Sequence, residues 1–372
     1  MVRMICVSRR LSLLGFILLL VGGAGCHLLP DKGLRGPASE VVAHGFNFGP
    51  RIRYGAYPSS IVGTPWLGEN FGTHGYYFRL SEKNGIAYTC RGGHIDSMHL
   101  RIAADWTAHL AAKSYRHIMR GDERFSYKLL VDRSRNYAYI SYPENWDSLP
   151  TEQRSEIARE VALALGPYLT FTMTTWHEIL TWYGFKCIGL PAEYPSAFSW
   201  EDSYSNLLGT VLAVRALRDT EHSYNEAMKI VLDEEMQKLG IQSADVSKQA
   251  SESVRGNWYD GNFSMFVDMR MRNFDVGLDD GMVSPTLIPN VEGCEDPEPA
   301  SYPAPTLDVL TEHGFAARVE IEPHEWERDK ILRIIYPEKR QKRVRPEEHF
   351  PIIMAEMRRE AVERYGESMI QD

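Results

Sequence analysis

The residues best placed to do chemistry fall in three short segments. In GGHIDSMHLRIAADW, Asp96 and His99 are three apart, a spacing that puts a carboxylate and an imidazole on one helix face. In TTWHEILTWYG, His177 and Glu178 stand side by side among Trp176, Ile179, Leu180, Trp182 and Tyr183. A carboxylate buried in such company needs a cation, a metal or a shared proton. In SWEDSYSNLLG, Glu201 and Asp202 open another helical pattern, with Glu201 24 residues after His177. Together these are parts of a zinc-assisted hydrolysis site, in which imidazoles and a carboxylate bind the ion and a glutamate takes a proton from its water. The expected zinc ligands are His99 and His177, with Glu201 or Asp202 as the third. Glu178 is then the general base, and Asp96 orients His99 or enters the shell. Thr181 stands where the usual His-Glu helix pattern has its second histidine, which is why His99 is drawn in.

Each segment also has a plainer reading. Asp96 is a carboxylate at a helix start, where the dipole favours it, and His99 is a satisfied core histidine. Glu178 faces solvent or pairs with an arginine, and Glu201 and Asp202 are ordinary first-turn acids. A different chemistry starts from Cys90, followed by Arg91 and two glycines, a setting that lowers a thiol pKa. With His94, His99 or His177 as base, Cys90 would be the nucleophile of a hydrolase or acyltransferase. The chain has no phosphate-binding glycine loop, no dinucleotide fingerprint, no CxxC and no G-x-S-x-G.

These side chains need helices to carry them. Apolar and small residues keep a helical period from Ile95 to about Met119 and from Glu152 to Trp182, where Gly166-Pro167 marks a kink. Ser199 caps a helix predicted to reach Arg218, and Ser223 to Leu239 forms the next. Asn84-Gly85 between two aromatic runs signals a hairpin, and Phe125 to Tyr142 reads as a second. The fold class predicted is α+β, a mainly helical core with small antiparallel β elements. Residues 1–25 read as a leader, 26–60 as a tether, 61–295 as the main helical domain, 296–306 as a Pro-rich linker and 307–372 as a C-terminal α/β extension.

Arg3, Arg9 and Arg10 precede the apolar run Leu11 to Val21, too short for a comfortable membrane span and ending in small residues: a secretory signal. Gly22-Gly23-Ala24-Gly25-Cys26 resembles a bacterial lipobox, with Gly23 where Leu is usual. The resemblance implies cleavage before Cys26 and a lipid on its thiol; an ordinary signal with a chance cysteine is the alternative. His27 and Leu28 follow, with no retention aspartate, so the resemblance implies the outer membrane of a Gram-negative cell, facing the periplasm. Without its leader the chain has 38 basic and 50 acidic residues, a net charge of −12. That balance argues against nucleic acid as a partner. The membrane is reached through the anchor. Cys90, Cys187 and Cys294 remain, an odd number in an oxidising compartment, whose pairing the sequence leaves open.

CRGGxIDxxH followed by ADWT, then WHEIxTWYG and SWEDxYSNLLG, resembles a bacterial family of uncharacterised lipoproteins that constitutes a domain of unknown function. The resemblance spans about Phe46 to Asp280 and implies that the three segments belong to one domain. It implies no activity. Two classes of function stand: a periplasmic metal-dependent hydrolase, and a non-catalytic lipoprotein whose His/Asp/Glu cluster is a structural network.

Overall fold

The structure, a computed structural model, describes residues 34–53, 55–77, 81–186, 194–261, 267–338 and 341–371. The lipidated position expected at Cys26 and the third thiol, Cys187, lie outside the described residues. The mainly helical α+β fold expected from the sequence is what forms. Its helices are α1 (Val41–His44), α2 (Ser97–Arg120), α3 (Thr151–Trp182), α4 (Asp202–Ala216), α5 (Tyr224–Leu239), α6 (Ala244–Ser253), α7 (Asp308–Glu312), α8 (Arg328–Ile335) and α9 (Pro346–Tyr365).

Helix α2 is the axis, and α3 and α4 pack against it. Ala103, Ala104, Ala108, Ala111 and Ala112 are all buried on α2, so two neighbours can come close without leaving a void. The Asp96 side chain starts α2 by accepting the Met98 N–H at 2.7 Å, and Gly121 ends it at a left-handed φ of +72°. Helix α3 runs unbroken through Pro167 for 32 residues, about 48 Å at the α-helical rise. Where α4 crosses α2, a side chain at Gly209 would overlap the Leu100 carbonyl oxygen and sit 2.9 Å from the Ala103 Cβ. Among the described residues no helix is long and apolar enough to cross a membrane.

Strand β1 (Trp66–Leu67) lies parallel to β2 (Ile86–Thr89), which pairs antiparallel with β3 (Gly93–Asp96). The tight turn is therefore at 90–92, where Thr89 Oγ1 accepts the Gly92 N–H at 3.0 Å. Asn84-Gly85, read from sequence as the hairpin turn, instead leads into β2. The second hairpin forms as expected from β4 (Arg124–Tyr127) and β5 (Arg135–Ser141). Strand Ala316–Glu322 pairs with β5 along its whole length, from Ala316 opposite Ser141 to Glu322 opposite Arg135. The C-terminal segment thus completes this sheet, and residues 32–372 form one unit. Nor is the stretch before Ser60 a loose tether, since Ala38, Val41 and Val42 are wholly buried.

A buried ion network fixes that stretch to α2. Arg53 donates to Asp105 at 2.7 Å and to Glu82 at 3.0 Å. Asp105 also accepts from His74 at 2.8 Å and Tyr224 at 3.2 Å, and Arg101 pairs with Glu82 at 3.2 Å. Burial works against the Glu82 anion, but Arg53 and Arg101 outweigh it and hold its carboxyl well below the usual range. Farther on, a disulfide joins Cys90 to Cys294 across Cα atoms 5.1 Å apart, tying the β2–β3 turn to a distant loop.

Replacing Gly209 by Ala should destabilise the protein by about 1–3 kcal/mol, as overpacking does, despite alanine's better helix propensity. Urea denaturation of the two proteins checks this; a variant as stable as the parent would show that α2 and α4 can separate at no cost.

Candidate active site

Three elements deliver acidic groups to the first turn of α2. Asp96 ends β3 and caps α2, Glu178 comes from the last turns of α3, and Glu201 and Asp202 come from the start of α4. All four carboxylates are buried, the most open of them 6 % exposed. His99 lies among them with its side chain 22 % exposed, so one edge of the ring reaches the surface.

The imidazole Nδ1 lies 3.0 Å from Asp202 Oδ1 and 3.3 Å from Asp96 Oδ2, between the two and aligned on neither. Both partners are themselves fixed. Asp96 Oδ2 accepts the Ala56 N–H at 2.7 Å, and the Asp96 N–H donates to Ser205 Oγ at 3.0 Å, which ties α4 to β3. Asp202 Oδ2 accepts the Ser199 N–H at 2.8 Å. Ser199 Oγ is 3.0 Å from Asp202 Oδ2 and within 3.0 Å of both Glu201 oxygens. A hydroxyl carries one proton, so Ser199 can donate to only one of the two carboxylates, and a proton held on the other lets that acid donate to Ser199 in turn. The other side of His99 is closed by backbone. A Cβ on Gly55 would come within 2.6 Å of His99 Nε2, so only glycine lets the chain pass there. The Arg53 network holds that passage in place from two residues away.

Glu178 Oε2 accepts the Phe198 N–H at 3.1 Å. Phe198 has a left-handed φ of +52°, which costs a non-glycine residue roughly 1–2 kcal/mol. The turn is held by its bonds: the Ala197 carbonyl accepts from buried Arg272, and the Phe198 carbonyl accepts the Asn273 N–H at 3.0 Å.

Charge accounts for the proton affinities. Burial and then Asp202 push the Glu178 carboxyl up to about 7, against the pull of His177, His99 and the Phe198 N–H. Burial, Asp202 and Asp96 hold Glu201 well above the carboxylate range. Burial disfavours the His99 cation, but Asp96 and Asp202 outweigh it and raise that group well above its ordinary value. The centre thus favours the charged form of the His99 imidazole and the protonated form of Glu201, beside a Glu178 poised to exchange its proton near neutrality.

Five of the expected site residues, Asp96, His99, Glu178, Glu201 and Asp202, are brought together. His177 is not placed with them. Adjacent residues diverge by about 100° around a helix, and the His177 Nδ1 turns to Asp132 Oδ1 at 2.7 Å, its ring edge-on to Phe185. The two imidazoles expected to share zinc thus face different carboxylates. Among the described residues no group of three or more His, Cys, Asp or Glu side chains is arranged to hold a metal ion. The Cys90 sulfur is bonded to Cys294, so it offers no thiol as an alternative nucleophile. His94 stands apart as well: it accepts from Trp200 at 3.2 Å and donates to the Ser247 carbonyl at 3.0 Å, and burial pushes it down to about 4. Ser199 does not cap α4, which begins three residues later. It bridges the two carboxylates instead.

Asp132, Gly55 and Ala56 went unread in the sequence. Glu325 is buried and accepts the N–H groups of Arg133 at 2.8 Å and Ser134 at 2.7 Å. It thereby shapes the loop that presents Asp132 to His177.

The family described as Protein of unknown function (DUF4056) matches residues 71–278, which include Asp96, His99, Glu178, Glu201 and Asp202. No curated protein and no solved structure matches the chain significantly.

Glu178 binds its proton more tightly in the folded chain than in the unfolded one. Its contribution to stability is therefore complete below the ordinary carboxylate range and is lost as pH rises through about 7. The melting temperature should fall as pH rises from about 4.5 to about 7, and Glu178→Gln should flatten that fall. Equal slopes for the two proteins would mean that Glu178 titrates as an ordinary carboxylate.

Proposed function

The chain belongs to the DUF4056 family, whose description names no activity, and from the site itself we propose an exported hydrolase that works by proton transfer at a carboxylate–histidine centre. The observation that carries this reading is the setting of His99. Its Nδ1 faces Asp202 and Asp96 while part of the ring remains open to the surface, beside a glutamate whose proton affinity lies near neutrality. A carboxylate pair on one ring nitrogen fixes the imidazole's orientation and supports its charge. A group titrating near 7 can both take and return a proton during turnover, an effect typically worth 10²–10⁴-fold in rate. His99 and Glu178 are the proton-carrying pair, Asp202 and Asp96 position the ring, and Glu201 with Ser199 holds Asp202.

A second reading keeps zinc, and the charge of the centre favours it. Four carboxylates around one imidazole are more negative charge than His99 alone can match. A divalent cation could take up that surplus in place of the protons. Asp96, His99, Glu201 and Asp202 would be its donors, Glu178 would remain the base, and zinc would supply Lewis acidity and a more acidic bound water. His177 has no part in this version.

The cellular setting is also part of the proposal. The leader and Cys26 suggest a lipid-anchored protein of the outer membrane facing the periplasm, and the Cys90–Cys294 disulfide supports an oxidising compartment. Peptides, peptidoglycan fragments and lipids are the substrates available there.

Metal analysis of the chain lacking residues 1–26, with hydrolysis of p-nitrophenyl esters and of peptidoglycan, tests the centre. His99→Ala and Glu178→Gln should each lower turnover at least 100-fold without unfolding the protein, and His177→Ala should have a much smaller effect. Stoichiometric zinc that His99→Ala removes and Glu178→Gln retains would establish the second reading. Turnover indifferent to both His99→Ala and Glu178→Gln would reject the centre as a catalyst. For the anchor, mass spectrometry of the protein from its native membrane should find a diacylglyceryl addition on Cys26 that Cys26→Ser abolishes. An unmodified Cys26 would reject anchoring.

A further inference from the structure

We propose that the cleft at the C-terminal end of α3 binds a small organic anion, a carboxylate or phosphate group on a short apolar body. The cleft has a volume of about 600 Å³, within the range of small-molecule sites. It opens where Tyr183 and Gly184 leave α3 and faces α8 and α9.

Charge is the first argument. Lys330, Arg333 and Arg364 all line this one cleft, and no carboxylate among the described residues forms an ion pair with any of them. That is unusual in a chain with 50 acidic and 41 basic residues. The nearby arginines show the contrast: Arg359 pairs with Glu356 at 2.6 Å, Arg358 with Glu367 at 3.0 Å and Arg345 with Glu348 at 2.6 Å. The two acids in the cleft wall are already engaged, Glu356 by Arg359 and Glu360 by the Trp182 indole N–H at 2.9 Å. Glu360 keeps its charge beside Arg364, so the cleft carries three cations against one carboxylate that no cation pairs.

The second argument is polar satisfaction. Tyr183, which lines the cleft, is only 8 % exposed, and its hydroxyl is buried with no hydrogen-bond partner. A buried hydroxyl left without a partner is costly. Lys330 Nζ donates to the Tyr183 carbonyl at 3.3 Å, so the cation also offsets the negative end of α3, which would otherwise repel an anion. The guanidinium of Arg364 lies 4.6 Å from the centre of the Tyr194 ring, which holds its planar fork in place before a ligand arrives. Ile334 and the aromatic side chains supply the apolar wall.

The site is separate from the carboxylate–histidine centre and does not depend on how that centre works. Isothermal titration calorimetry of the chain lacking residues 1–26 tests it, with benzoate, inorganic phosphate and uncharged benzamide as probes. At least one anion should bind saturably at low salt. Arg333→Gln combined with Arg364→Gln should weaken that binding at least tenfold, while Glu201→Gln should leave it unchanged. Benzoate binding alone points to a carboxylate with its apolar body, and phosphate binding alone to a phosphate-bearing ligand. The proposal is overturned if neither anion binds, if benzamide binds as tightly as benzoate, or if the double variant binds like the parent. Arg345→Gln, which removes a paired arginine outside the cleft, is the control for a general loss of positive charge.

Discussion

A charge taken out of water must be met by another charge or given up as a proton, and this protein does each in one of two neighbouring clusters. Against the middle of α2, Asp105 and Glu82 are answered by Arg53 and Arg101, with His74 hydrogen-bonded to Asp105, and the ionised form of both acids is favoured. At the start of the same helix, Asp96, Glu178, Glu201 and Asp202 have His99 at their centre. There the shortage of positive charge is made up by protons held on carboxyl groups. The first cluster is a fastener and the second is chemically restless. One helix carries both, because α2 packs against α3 and α4 and is itself the floor on which the N-terminal stretch lies.

The two clusters are mechanically joined. Arg53 leads within three residues to Ala56, whose N–H bonds Asp96, and the intervening Gly55 touches the His99 ring. Loss of the ion network would release the backbone that closes one side of the imidazole. The matched cluster thus keeps the unmatched one partly covered, and the covering sustains the desolvation that raises its proton affinities.

How much of this could be read from sequence follows the range of each interaction. Helices, the hairpin at 124–141 and the pairing of Asp96 with His99 rest on contacts within a few residues, and periodicity reveals those. Glu178, Glu201 and Asp202 were recognisable as acids in apolar company that require partners. The error over His177 is instructive. The sequence shows it beside Glu178, but its partner Asp132 comes from a loop shaped by Glu325, nearly 150 residues away along the chain. Asn84-Gly85 misled for a related reason: the strand that pairs with β2 lies after it, so the local turn signal was outweighed by tertiary pairing. Nothing in the residues around Gly55 announces that it must be small; only the imidazole packed against it does.

The Cys90–Cys294 bond spans 204 residues of sequence, and Asp96, His99, Glu178, Glu201 and Asp202 all lie between its ends. The whole centre is therefore enclosed in one covalent ring, with Arg53 and the N-terminal stretch outside it on one side and the C-terminal strand and helices on the other. A protease that cuts once inside the ring leaves both pieces tied together, so the helices bearing the acids cannot diffuse apart. A pull between the two ends of the chain would likewise pass through the sulfur bridge and leave the ring itself unloaded. That places the fragile part of the molecule on the protected side of its strongest link.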